Sequence, residues 1–299
     1  MTTNEVSFPS GKTTCAATLY LPETLAPHPV VVMGHGLGGT RDLLEPYARK
    51  FSAAGYACLV FDYRNFGDSG GSPRRLVDPA AQQADFRAAI AYAIRHKALD
   101  ATRVIAWGSS FGGGHVISIA AGDEQLAAVI AQCPFTDGLA STRMLNVRSS
   151  LRVTVAGIRD VIAAVARRQP VNVSFVGPAG SASLMTSPDA EPGYYALLPD
   201  DHDWINETPA RIVLRIPMYR PVSQANRVTC PLLVVVCTDD AVAPAAGARR
   251  AADRAPLGEA REYSCGHFDI YLGDQFDCAV ADQIEFLKRH VPVVTEITM

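Results

Sequence analysis

Residues 103–115 read RVIAWGSSFGGGH: an apolar, strand-like run, then a cluster of small residues, then a helical pattern opening near Phe111. Gly108, Ser110 and Gly112 satisfy G-x-S-x-G, and Gly113 adds a further small residue. A side chain carried at the apex of a sharp strand-to-helix turn strains the backbone and brings strand and helix close together. Its neighbours two positions away must therefore be small. Ser109 has no glycine at either such position, so Ser110 is the candidate nucleophile. The same turn aims helix N-terminal amides at the reacting centre, which makes the Phe111 N–H a candidate donor to a developing oxyanion.

Outward from this turn, apolar strand candidates alternate with helical patterns. VSFP and TCAATLYLP, joined by SGK, predict a leading antiparallel pair. Then come VVVM (30–33), a helix near 43–54, ACLVF (57–61), a helix near 80–97 and RVIAW (103–107). After the helix at Phe111 follow LAAVIAQC (126–133), PLLVVVC (231–237), a helix near 244–255, EYS (262–264) and a helix near 274–290. Continuous apolar strands separated by amphipathic helices predict an α/β fold, a mostly parallel sheet covered on both faces.

The rhythm stops after Pro134 and resumes at Pro231, too long a gap for a structureless connection. The expectation is a core of residues 1–134 and 227–299 with a cap inserted at 135–226. Within the cap, Leu151, Val155, Ile158, Ile162 and Val165 follow steps of four and three, one face of a helix. GPAGSASLMTSPDAEPG reads as turn-rich, and short helices are expected at 201–206 and 209–216. Tyr194, Tyr195, Leu197, Leu198, Trp204, Met218 and Tyr219 supply large apolar groups for packing and for a pocket.

A serine hydroxyl needs a base, and the base an orienting carboxylate. CTDDAVAP leaves the strand PLLVVVC carrying Asp239 and Asp240, and SCGHFDIY carries His267 after the next strand. The chain order serine, acid, histidine places each group in a loop beyond a strand's C-terminal end. His35 is read as bracing its own loop, and His115 as a packing residue.

Five segments together carry a family resemblance: HGLGG (35–39), FDYRNFGDSGGS (61–72), GSSFGGG (108–114), DDAVAP (239–244) and GHFDIY (266–271). The chain resembles an α/β-hydrolase, and more narrowly the X-Pro dipeptidyl-peptidase and dienelactone hydrolase groups and polyketide acyl-transferring relatives. The resemblance implies a triad of Ser110, an acid and His267, and gives the Leu37 backbone N–H the role of second oxyanion donor. Pro244 aligns Asp240 with the family's acid, with Asp239 left as the alternative for geometry to decide. It implies ester or thioester cleavage of a small to medium apolar acyl group, or acyl transfer or cyclisation. A peptidase would need a site for a substrate amine, and no carboxylates for one are identifiable.

Gly34, Gly36 and Gly39 also satisfy G-x-G-x-x-G, with Asp62 23 residues beyond the last, close to a dinucleotide-binding pattern. Glycine lets a backbone approach a carbonyl oxygen as closely as a phosphate. The leading β pair, the histidine inside the glycine run and the other triad members decide for the oxyanion role.

Composition narrows the remaining classes. With 299 residues, 48% hydrophobic and 19% charged, the chain has material for an ordinary buried core. A formal net charge of -3, with no basic block longer than an Arg–Arg pair, argues against nucleic acid. The N-terminal stretch lacks a signal-peptide pattern, and no apolar run reaches a membrane span, so a cytoplasmic location without membrane association is expected. Seven cysteines without C-x-x-C spacing read as reduced, mostly buried thiols. No cofactor is implied, and no metal: the Asp201, His202, Asp203 triplet reads as the polar first turn of a helix. The expected partner is a small-molecule acyl substrate, with a homo-oligomer left open.

Overall fold

The computed structural model of the protein describes residues 1–122 and 125–293. Strands β1 (Thr2–Ser10) and β2 (Thr13–Leu21) pair antiparallel, as SGK between them predicts. They are followed by β3 (His28–Gly34), α1 (Glu45–Ala53), β4 (Ala57–Phe61), α2 (Pro79–Arg95), β5 (Leu99–Ser109), α3 (Phe111–Ala120) and β6 (Ala128–Gln132). One eight-stranded sheet runs β1-β2-β4-β3-β5-β6-β10-β11, where β10 is Leu232–Cys237 and β11 is Gly258–Tyr263. β2 runs antiparallel to both its neighbours, and the other six strands of this sheet, β4, β3, β5, β6, β10 and β11, are parallel. This is the α/β-hydrolase fold.

Because neighbouring residues on a strand point to opposite faces, each central strand feeds two cores. Val30 and Val32 of β3 pack with α2, α3 and α7 (Ala245–Arg254). Val31 and Met33 pack with α1 and α8 (Gly273–His290) on the other face. Both faces are covered, so the strands read as apolar throughout. β11 is the exception. As an edge strand it is partly exposed and carries GEAREY, which hides it from an apolar-run search; EYS marks only its end.

Between β6 and β10 the chain inserts α4 (Gly138–Thr142), α5 (Val147–Val165), β7 (Asn172–Val176), β8 (Ser183–Met185), α6 (Ala190–Tyr195) and β9 (Thr208–Pro209). β7 pairs with both β8 and β9 in a small separate sheet. Short 3-10 turns at Ala210–Leu214 and beyond lead back to β10. Residues 201–206, expected as a helix, are irregular chain after a turn, so Asp201, His202 and Asp203 open no helix. The turn-rich stretch conceals β8 and α6, elements too short to show a period.

α5 is held by a narrow buried seam of Ser149, Val153, Gly157, Asp160 and Ala163. Asp160 anchors it, bonded at 2.6 Å to Arg211 Nε and at 2.9 Å to the Val171 and Arg211 amides. The apolar face read from the sequence does form on this helix, but it points to solvent. Val147, Leu151, Ile162 and Val165 are 83%, 66%, 63% and 82% exposed.

Candidate active site

β5 ends at Ser109 and α3 begins at Phe111, so Ser110 alone makes the turn, at φ 53°, ψ −116°. A non-glycine residue in that region is strained and persists only where its surroundings enforce it. The Ser110 amide donates to Gln132 O at 2.9 Å, and Phe135 N and Gly114 N donate back to Ser110 O. The flanking glycines are needed for space. A Cβ on Gly112 would lie 2.5 Å from Gly34 O and 2.6 Å from His35 O, and one on Gly113 2.9 Å from Pro134.

The loops after β3, β5, β10 and β11 converge at one sheet edge. His267 Nε2 lies 2.9 Å from Ser110 Oγ, and His267 Nδ1 lies 2.6 Å from Asp240 Oδ2. Asp240 Oδ1 accepts the Val242 and Ala243 amides at 2.8 and 2.6 Å, which fixes the carboxylate and leaves Oδ2 for the imidazole. With Nδ1–H donating to Asp240, Nε2 presents its lone pair to the serine hydroxyl. Asp239 is exposed and its amide bonds Cys265 O, so Asp240 is the carboxylate of the two that reaches His267. Burial opposes a charged imidazolium, but the Asp240 carboxylate outweighs it and pushes the His267 pKa up to about 9.

Gly36 carries the loop after β3 directly over the serine: a Cβ there would lie 3.1 Å from Ser110 Cβ. The next residue, Leu37, lines both cavities that meet at Ser110. The Phe111 amide is the first of α3, without an intrahelical acceptor. Leu37 and Phe111 both line the larger cavity at Ser110. His35 braces this loop as read, its Nδ1 2.9 Å from Gly36 O. His115 sits in the core between Tyr219 OH and Gln82, and burial lowers its pKa to about 3.

The two cavities differ in size. One of about 560 Å³ is walled by α4, α5, β8 and the 3-10 turns, with Phe135, Val153, Leu184 and Ile216 among its apolar lining. The other, about 130 Å³, is lined by His35, Leu43, Tyr194, His267 and Leu272. Ser110 and Leu37 border both, and His267 borders only the smaller. Asp62, the acid of the dinucleotide pattern, is occupied by the Arg41 amide and guanidinium and by Asp68 N. Among the described residues no group of histidine, cysteine and carboxylates could hold a metal ion, the Asp201, His202, Asp203 triplet included. Among the described residues no disulfide joins the cysteines.

Three contributors escaped sequence reasoning. Trp204 Nε1 donates to Gly38 O at 2.8 Å and Tyr194 OH to Leu37 O at 3.2 Å, so the inserted segment pins the loop that carries the Leu37 amide. Tyr271 OH meets Ser109 Oγ at 2.6 Å, tying the histidine loop to the elbow. Tyr194 and Trp204 suggested only apolar packing or a pocket wall, and nothing in the spacing of the three announces the two carbonyls and the serine hydroxyl they reach.

The chain belongs to the serine aminopeptidase S33 family of α/β-hydrolases, whose model matches residues 26–265. The quorum-quenching protein AidA of Acinetobacter baumannii is 47% identical to it, over 97% of this chain and 95% of that one. The thiohydrolase aneE of Aspergillus aculeatus is 26% identical, over 90% and 87%. The α/β-hydrolase GrgF from Penicillium sp. sh18 superposes with a TM-score of 0.81 at 21% identity, covering 97% of this chain and 99% of that one, a likeness of fold. Among the described residues no helix is long and apolar enough to cross a membrane.

Proposed function

We propose that this protein is a serine hydrolase cleaving an ester or thioester of a small to medium apolar acyl substrate through an acyl-enzyme. The observation that carries the reading is the Asp240–His267–Ser110 relay opening on an apolar chamber of about 560 Å³. That volume lies within the range of small-molecule sites. Ser110 Oγ attacks the acyl carbonyl while its proton passes to His267 Nε2. The Leu37 and Phe111 amides donate to the oxyanion, and collapse expels the alcohol or thiol, which takes the proton from Nε2. Water then enters, gives its proton to Nε2 and attacks the ester carbon, releasing acid and restoring the Ser110 hydroxyl.

The cavities orient the substrate. The proton for the leaving group comes from His267, which borders only the smaller cavity, so the leaving group departs and the second nucleophile arrives there. The acyl chain occupies the larger chamber beneath residues 135–226, which act as a cap. A smaller cavity distinct from the acyl chamber also favours a second reading, transfer to a small alcohol or closure of a ring by an internal one. Peptide cleavage from a free N-terminus is disfavoured: neither cavity has a carboxylate among its lining residues to hold the ammonium. The thiohydrolase name of the Aspergillus relative and the quorum-quenching name of the Acinetobacter one direct substrate trials to acyl thioesters and small acylated signal molecules.

The test is release of 4-nitrophenol from acyl esters of increasing length by wild type and Ser110→Ala, repeated on acyl thioesters with product analysis in the presence of added alcohols. Turnover lost with Ser110→Ala supports the nucleophile, and ester products in place of acids favour transfer. Equal turnover by both proteins overturns the assignment.

A further inference from the structure

The outward face of α5 has a seven-residue period. Within the helix Leu151, Ile158 and Val165 recur every seventh position, with Val147, Thr154 and Val161 four residues before each. That is an a/d seam, which a helix uses to pack against another helix. Val155 and Ile162 widen the stripe on one side. These apolar side chains are exposed, Val147 and Val165 to more than four-fifths, whereas the opposite seam of Ser149, Val153, Gly157, Asp160 and Ala163 binds the helix to its own chain.

From the face's area and pattern, we infer that it is a homodimer interface in which α5 packs against α5 of a second copy across a two-fold axis. Seven apolar residues of this face are 40–83% exposed, a contiguous patch of several hundred Å² that soluble monomers rarely leave open and on the order of the share one partner contributes to a stable interface. A self-complementary stripe pairs with itself when a two-fold axis crosses it. The charge distribution separates this occupant from a lipid surface. A helix lying on anionic lipid has a strongly charged polar face, rich in Lys and Arg, opposite its apolar stripe. Here Arg148, Arg152 and Arg159 follow one border only, and the other has Ser150 and Ala164, small enough for close helix approach. The partner would stand directly behind the acyl chamber, because Ser150, Val153 and Thr154 of the same helix line that cavity. Pairing would then fix the chamber's outer wall. The inference stands apart from the reaction assigned to the site.

Sedimentation velocity of the full chain tests it, comparing wild type with Leu151→Glu/Ile158→Glu, both sites at solvent-facing positions. Wild type is expected as a dimer at concentrations on the order of 10 µM. The double variant is expected as a monomer with unchanged circular dichroism. A second pair, Val147→Lys/Val165→Lys, is expected to behave likewise and guards against misfolding of the first. Monomeric wild type overturns the inference, as does a dimer that survives both double substitutions. Wild type that is monomeric but co-sediments with phosphatidylglycerol vesicles overturns it in favour of a lipid surface.

Discussion

Asp240 and Asp239 are adjacent carboxylates, yet only one reaches His267, and this sets the first prediction. Asp240→Asn is expected to lower kcat about 10⁴-fold, the scale on which loss of the orienting acid acts through the wrong imidazole tautomer. Asp239→Asn should stay within about twofold, as an exposed surface change. The raised His267 pKa adds a direction. The base must be neutral to take the serine proton, so kcat/KM should rise with pH through a midpoint above 6.5 and towards 9. In Asp240→Asn the stabilising charge is gone while burial remains, so the residual activity should titrate at lower pH. A midpoint unchanged between the two proteins would show that Asp240 does not govern His267. The Trp204 indole acts differently, by holding Gly38 O. Trp204→Phe keeps a ring but loses the N–H and frees the loop, with an expected fall in kcat of about tenfold against a smaller change in KM. Ser110 and His267, which the structure brings within 2.9 Å of each other, stand out in short-range patterns. The choice of Asp240 awaited the two backbone amides that fix its carboxylate, and Trp204 bonds a residue 166 positions away, which no local pattern encodes.

At the scale of elements, the core was readable because its strands are buried on both faces and its helices have one apolar side. β4 coincides with its apolar run, while α2 and α8 lie within two residues of their expected bounds. The inserted segment was less readable, for its elements are short and held by side chains. Asp160 is the clearest case. Burial works against its ionised form, but hydrogen bonds from Arg211 and from the Arg211 and Val171 amides outweigh this and hold its pKa below the usual 3.8. Asp160→Ala is expected to cost about 3 kcal/mol, the scale of breaking a buried ion pair. A folded-state pKa lowered in this way stabilises above the unfolded value and ceases to do so as pH falls through the folded one. The gap in Tm between wild type and variant should therefore hold from about pH 5 to 8 and close below about pH 4. A gap unchanged at pH 3 would mean that Asp160 acts by packing alone.

For the whole molecule, the proposed reaction draws its reacting groups from the loops of the sheet and its room from the inserted segment, so changes of substrate range should map to the insertion without touching chemistry. Val153 is suited to the trial: it is buried on the inner side of α5 and lines the large chamber, away from the three reacting side chains. Val153→Trp adds roughly 90 Å³ of side chain, a modest part of a site of this class yet equivalent to about three methylenes of an acyl chain. If the acyl group lies in this chamber, kcat/KM for acetyl and propionyl esters should remain within about threefold, while the longest chains accepted by wild type should lose tenfold or more. The optimum would shift down by two to four carbons. The overpacked core should cost about 1–3 kcal/mol, so the thermal midpoint is measured first and assays run well below it. A uniform loss across all chain lengths would point to disturbed geometry at Ser110. An unchanged chain-length profile, with the size of the alcohol discriminated instead, would reverse the orientation and put the leaving group in the large chamber.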